Sequence, residues 1–335
     1  MNEKQRQYRT TGLVMFLIGG ALLVMRILAY VLANAISNTN LAYWKQEIIL
    51  DVCFTIPVQV GCLFLLTLLI YKIGLKKKAK EIFTLSGFAR PQGKKIALAV
   101  LLGFCAYFAT IGVSAIWQAI LEVVGYTSSS SGMILPEKFN FALFLLSLIL
   151  TAVLPAFCEE FAMRGVFVKT LDNSFADKTA IIIGGLAFGL FHQYIEQFVY
   201  TMLFGMLITY IAMRTGNIWY GVIIHFVNNG LSVFMSYAVQ YDFAIGGNFN
   251  EIISRVASTN GGVLMVYGFF AVMAVISVIL AKAIAKQKKK VDESGNLVLG
   301  KLVYKATKRD NICYIGAIVL AALTTVFTFM FGFIA

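Results

Sequence analysis

The chain has 335 residues, 59% of them hydrophobic and only 13% charged, with a mean hydropathy of +0.81 and a net charge of +12. That balance excludes an ordinary soluble domain, in which about a quarter of the residues are charged. It also excludes nucleic acid as the partner of the basic residues, which are parcelled out between apolar runs; anionic lipid headgroups are their expected partner.

Nine apolar stretches are long enough, or nearly so, to cross the hydrocarbon core of a bilayer as helices of about 20 residues. In chain order they fall at roughly 12–36, 48–74, 95–124, 139–171, 178–195, 197–214, 217–240, 262–285 and 312–335. The first offers small residues at Ala33-Asn34-Ala35, but it is too long for a secretory signal, carries Arg26 and is followed by further spans, so it is read as a retained helix. The fifth and sixth are interrupted by Gln193, Glu196 and Gln197, and one bent unit is an alternative for them. The expected class is all-α: a polytopic integral membrane helical bundle of about eight or nine transmembrane helices.

Lys and Arg gather in alternate connections: Lys4, Arg6 and Arg9, then eight residues in 72–95, three in 164–178, Arg214, and nine in 282–309. The intervening loops hold only Lys45, Lys138 and Arg255. With nine spans in a cell membrane, the positive-inside rule then predicts a cytoplasmic N-terminus and an outer C-terminus. Three parts follow: N-terminal helices in 1–138, a polar core in 139–240, and C-terminal helices in 241–335 with a basic cytoplasmic loop at 282–311. The Ser/Gly-rich stretch 125–138 reads as an outer connection, and 241–261 shows no clear structure. All five cysteines lie in apolar stretches without CxxC spacing, so neither a disulfide framework nor a thiolate metal site is indicated.

Ionisable residues at membrane depth are costly, and they usually face a partner or a wet cavity. Here Glu159 and Glu160 are adjacent, and Arg164 follows Glu160 at i+4 with the acid on the N-terminal side, the favoured order for a helical ion pair. Glu159 points about 100° away and has no built-in cation, so Glu160 is the structural member and Glu159 the free one. Pro155, four residues earlier, removes a backbone donor and makes room beside the carboxylate. Only two histidines occur: His192, at i+4 from Phe188, and His225, at i−4 from Asn229. Counting about 1.5 Å per residue, Glu159 lies roughly 18 Å, His192 roughly 20 Å and His225 roughly 12 Å from the same, basic end of their spans. Three helices thus bring an acid and two imidazoles to a similar depth.

A carboxylate beside imidazole can take a proton from water, and a second imidazole with a carboxamide can stabilise the resulting oxyanion. Serine chemistry is disfavoured, because no GxSxG is present. Zinc is open: Glu159, His192 and His225 supply three ligands if a metal is bound, although no HExxH spacing occurs. Taken together, Glu159-Glu160 with Arg164, Phe188 with His192, and His225 with Asn229 resemble the three motifs of the CPBP family, the CAAX prenyl endopeptidases and bacteriocin-processing intramembrane proteases. The resemblance covers roughly 140–235. It implies endoproteolysis within the membrane, with Glu159 as catalytic glutamate, His192 holding water, and His225 with Asn229 forming the oxyanion site. Glu160 and Arg164 are implied in support, and the cofactor is left open between zinc and none. The expected substrate is a membrane-associated peptide or lipidated protein presented from the cytoplasmic side. A catalytically silent scaffold regulating a membrane-protein partner is the alternative, and a transporter a third reading.

Overall fold

In the computed structural model, residues 3–127, 133–172, 174–286 and 306–331 are described. Every element among them is helical. In chain order the helices are α1 (Glu3–Ser37), α2 (Tyr43–Leu75), α3 (Ala79–Leu85), α4 (Gly93–Val123), α5 (Phe141–Asp172), α6 (Asp177–Phe191), α7 (Ile195–Thr215), α8 (Trp219–Gln240), α9 (Ala244–Ala257), α10 (Gly262–Ala285) and α11 (Lys308–Phe331). A chain this apolar satisfies its backbone donors and acceptors within each segment, which in lipid leaves helices as the open-ended choice. Among the described residues eight helices are long and apolar enough to cross a membrane, within the eight or nine expected; α6, with 15 residues, falls short. The fifth and sixth stretches are separate helices broken at 192–194 rather than one bent unit.

The short arm leaves the sidedness of the ends unchanged. The start of α1 meets the end of α2 through the Lys77–Glu3 ion pair (3.0 Å), and Arg9 pairs with Asp310 at the start of α11. The start of α6 and the end of α7 meet through Arg214 and Asp177 (3.7 Å), so this hairpin leaves one face and returns to it. Ile218 N donates to Gly87 O (3.1 Å) and Lys95 Nζ to Lys286 O (3.3 Å), which brings α4, α8 and α10 to the same face. Glu3 and Phe331 consequently lie at opposite faces, and the Lys/Arg-rich ends lie on the face of Glu3, here called the basic face. Most of the 282–311 loop and residues 128–132 of the 125–138 connection lie outside the described residues. Within 241–261, where no structure was expected, α9 forms along the far face.

Two features position the site. Next to Pro57 and Pro155 the helical hydrogen bonding widens to i→i+5, over Pro57–Leu66 in α2 and over Ile149–Val153 and Phe161–Val168 in α5. A proline lacks the N–H and clashes with the carbonyl four residues back, and such wide turns recur at functional sites. The second feature is the α6–α7 hairpin. Gly185 and Gly189, a small-xxx-small pair, let the backbones close up: a β-carbon at Gly189 would sit 2.9 Å from Phe198 O. Gln193 then takes a left-handed φ of 60°, which costs about 1 kcal/mol for a residue with a side chain. That turn is held by Thr328 Oγ1 donating to Gln193 O at 2.7 Å, and it leaves His192 at the tip of α6.

Candidate active site

The charges on α5 are partitioned as their spacing implies. Glu160 is fully buried and accepts from Arg164 Nη1 at 2.9 Å. Arg164 also donates to Gly205 O (3.3 Å) and lies 4.2 Å over the Phe188 ring, so its charge is met on three sides. The same Glu160 oxygen receives His225 Nδ1 at 3.1 Å. An acid held by both a guanidinium and an imidazole has no freedom to work on a substrate. Gly221 makes room for it, since a β-carbon there would sit 2.7 Å from Glu160 Oε2.

Glu159 is placed differently. Its side chain keeps 15% exposure, Oε1 accepts from Gln59 Nε2 at 2.7 Å, and Oε2 has no hydrogen-bond partner among the described residues. The nearest base to Oε2 is His225 Nε2, 3.9 Å away. With Nδ1–H of His225 given to Glu160, Nε2 is the ring atom left as an acceptor. His192 is held the same way: its Nδ1–H donates to Phe188 O at 2.7 Å, again leaving Nε2 free to accept. Phe188 stands between the imidazoles, with ring centroids 4.7 Å from His192 and 5.9 Å from His225.

Glu159, His192, His225 and Asn229 all line one cavity of about 530 Å³, together with Gln59 and Asn228. Asn229 donates to Thr151 O (3.0 Å) and accepts from Asn228 Nδ2 (3.1 Å), so its carboxamide is oriented by two bonds. Glu196, one of the polar residues that interrupt the fifth and sixth stretches, is 6% exposed and accepts from Tyr126 OH at 3.0 Å. Burial and the Glu196 carboxylate push the Tyr126 phenol up to about 12. Sequence reasoning missed Gln59. The available signal was a carboxamide two residues after a proline inside an apolar span, in a helix that the family resemblance does not reach.

Glu159, His192 and His225 line one cavity, but among the described residues no three His, Cys, Asp or Glu side chains are gathered as a ligand cluster.

Fold and site together define a polytopic helical membrane protein with a carboxylate and two acceptor imidazoles around a polar cavity between its helices. Residues 141–231 match the family described as Type II CAAX prenyl endopeptidase Rce1-like, which is consistent with the CPBP motifs. Neither a curated protein nor a solved structure matches the chain.

Proposed function

We propose that this protein is an intramembrane endopeptidase that hydrolyses a peptide bond of a membrane-associated peptide or lipidated protein with water activated by Glu159. The observation that carries the proposal is the unpartnered Glu159 Oε2 facing His225 Nε2 across 3.9 Å. One water making two hydrogen bonds of about 2.8 Å spans roughly 4 Å between its acceptors. In that position both of its protons are gripped, one by the carboxylate and one by the imidazole, and its lone pair is turned to the cavity.

Glu159 takes one proton as the water oxygen bonds to the substrate carbonyl carbon. The carbonyl oxygen becomes an oxyanion, received by the N–H of Asn229 that Thr151 O does not use. When the tetrahedral centre collapses, the C–N bond breaks and the proton on Glu159 passes to the leaving amine. Glu160 and Arg164 hold His225 in register throughout. Positioned general-base catalysis contributes about 10²- to 10⁴-fold. Glu159→Gln keeps the acceptor for Gln59 and removes the base, so turnover of internally quenched prenylated and unmodified peptides in proteoliposomes is expected to fall by about 10³-fold. Wild-type turnover in that variant rules the mechanism out, and intact cellular function without turnover points to the scaffold reading.

A further inference from the structure

The cavity beside Glu159 is not symmetric about the membrane. Its lining from α4 runs from Tyr107, near the middle, to Ser114, towards the far end; from α7 it is Gln197 to Phe204, in the half that starts at the far face, and from α8 it runs from His225 past the middle to Ser232. A second polar cavity of about 430 Å³ shares Thr151 and Ser232 with the first. It continues to Ser236 and Pro136, and the Pro136 carbonyl accepts from Tyr241 OH just past the far end of α8. The two cavities adjoin at these shared residues, and their combined lining runs from the catalytic carboxylate towards the face opposite Glu3.

Towards the basic face Glu159 borders only a smaller, largely apolar cavity of about 190 Å³ that reaches Leu63 and Met163, and an aromatic layer packs beside it. Phe64, Phe83, Phe88, Phe157, Phe161 and Trp219 interlock there, with centroid separations from 5.1 Å (Phe83–Phe88) to 6.3 Å (Phe64–Phe83, Phe157–Trp219). Phe161 has no exposure, and Asn217 Nδ2 donates to Ala89 O at 2.9 Å, which ties α3's trailing turn to the start of α8. A polypeptide carries an amide donor and acceptor at every residue but proline, and threading it through such a packed aromatic layer leaves those groups unpaired, which is costly away from water. The two polar cavities offer hydroxyl and carboxamide partners along their length.

Resting on the proposed peptidase reading, we propose that the substrate reaches Glu159 from the face opposite the basic loops. By the charge distribution of the chain that face is extracytoplasmic. The substrate class is then a peptide segment exposed at the outer side of the membrane, such as the remnant or leader of an exported chain, and not a lipid-anchored protein offered from the cytoplasm. This reverses the direction expected from sequence, a substrate presented from the cytoplasmic side.

The experiment uses the full chain in host membranes and needs no substrate. Ser232→Cys and, separately, Ser114→Cys are exposed to a membrane-impermeant thiol reagent in intact spheroplasts and in inverted vesicles, with labelling read at each peptide by mass spectrometry so that the native cysteines stay in place. Lys78→Cys marks the basic face and Lys45→Cys the far face. Melting temperature in detergent verifies the fold of each variant, and the two cavity positions stand in for one another if one misfolds. The expected result is that Ser232→Cys and Ser114→Cys label together with Lys45→Cys in spheroplasts and lose labelling in inverted vesicles. Labelling together with Lys78→Cys, labelling from both faces, or protection from both overturns the route. Labelling with Lys45→Cys only in inverted vesicles overturns the extracytoplasmic assignment. Loss of turnover in Glu159→Gln alongside any of these adverse outcomes leaves the peptidase reading standing, so the two failures are separable.

Discussion

Replacing Gln59 by Leu removes the hydrogen bond that α2 makes to the catalytic carboxylate while nearly conserving side-chain volume. The bond is 2.7 Å long, its donor residue is 7% exposed, and its acceptor is Glu159 Oε1. A hydrogen bond to a charged group contributes about 1.5–3 kcal/mol, and each 1.36 kcal/mol is tenfold in rate, so full expression in the transition state is roughly a 10- to 150-fold loss. The physical content is positional. With Oε1 released, the carboxylate swings about its terminal torsion, and Oε2 no longer faces His225 Nε2 at 3.9 Å. Misplacement of a catalytic group by about 1 Å alone can cost 10²-fold. The assay is steady-state cleavage in proteoliposomes of whichever internally quenched peptide, prenylated or unmodified, the wild type turns over, with kcat and KM separated. A lower kcat with KM nearly constant is expected, and Gln59→Glu, which sets acceptor against acceptor, is expected to be at least as poor. Wild-type kcat in folded Gln59→Leu refutes the positional argument, and a rise confined to KM assigns Gln59 to substrate binding instead.

Arg164→Met strands the buried Glu160 carboxylate, and loss of one partner of a buried pair costs about 3–5 kcal/mol, read as a lower unfolding midpoint; the double variant Glu160→Gln with Arg164→Met is expected to recover part of it. Gly221→Ala drives a β-carbon to within 2.7 Å of Glu160 Oε2 and 2.8 Å of Ile208 Cγ2. Such overpacking costs about 1–3 kcal/mol, and it is checked by the same melt together with turnover, which falls as His225 is displaced with Glu160. Dialysis against a strong chelator is expected to leave peptide cleavage unchanged; loss that zinc restores would overturn a mechanism run by Glu159 alone.

Much of this organisation is legible in the sequence because the membrane enforces simple rules. Length and apolarity mark α1, α2, α4 and α5, and i,i+4 spacing marks the Glu160–Arg164 pair, since both are local properties of one helix. Residues 178–195 form a helix shorter than a full span for a tertiary reason. Gly185 and Gly189 pack α6 so tightly on α7 that a turn at Gln193 is supported by neighbours, and a 15-residue arm persists where a lone helix would need more length. The Gln59–Glu159 contact joins residues 100 apart across two proline-widened helices, and no periodicity within either reports it. The cavity's direction is likewise a property of which helix halves are polar once the bundle is assembled.

The hydrogen bond from α2 to α5 has a consequence for how this protein divides. Glu159 lies inside the 141–231 match, whereas Gln59 lies well before it, and Phe64 in α2 and Phe83 in α3 complete the aromatic layer beneath the acid. The matched stretch is accordingly not a portable cassette. Grafted alone into another helical scaffold, it would carry its acid and imidazoles without the brace and the floor that hold them, and swapping the leading helices between relatives should transplant reactivity along with them.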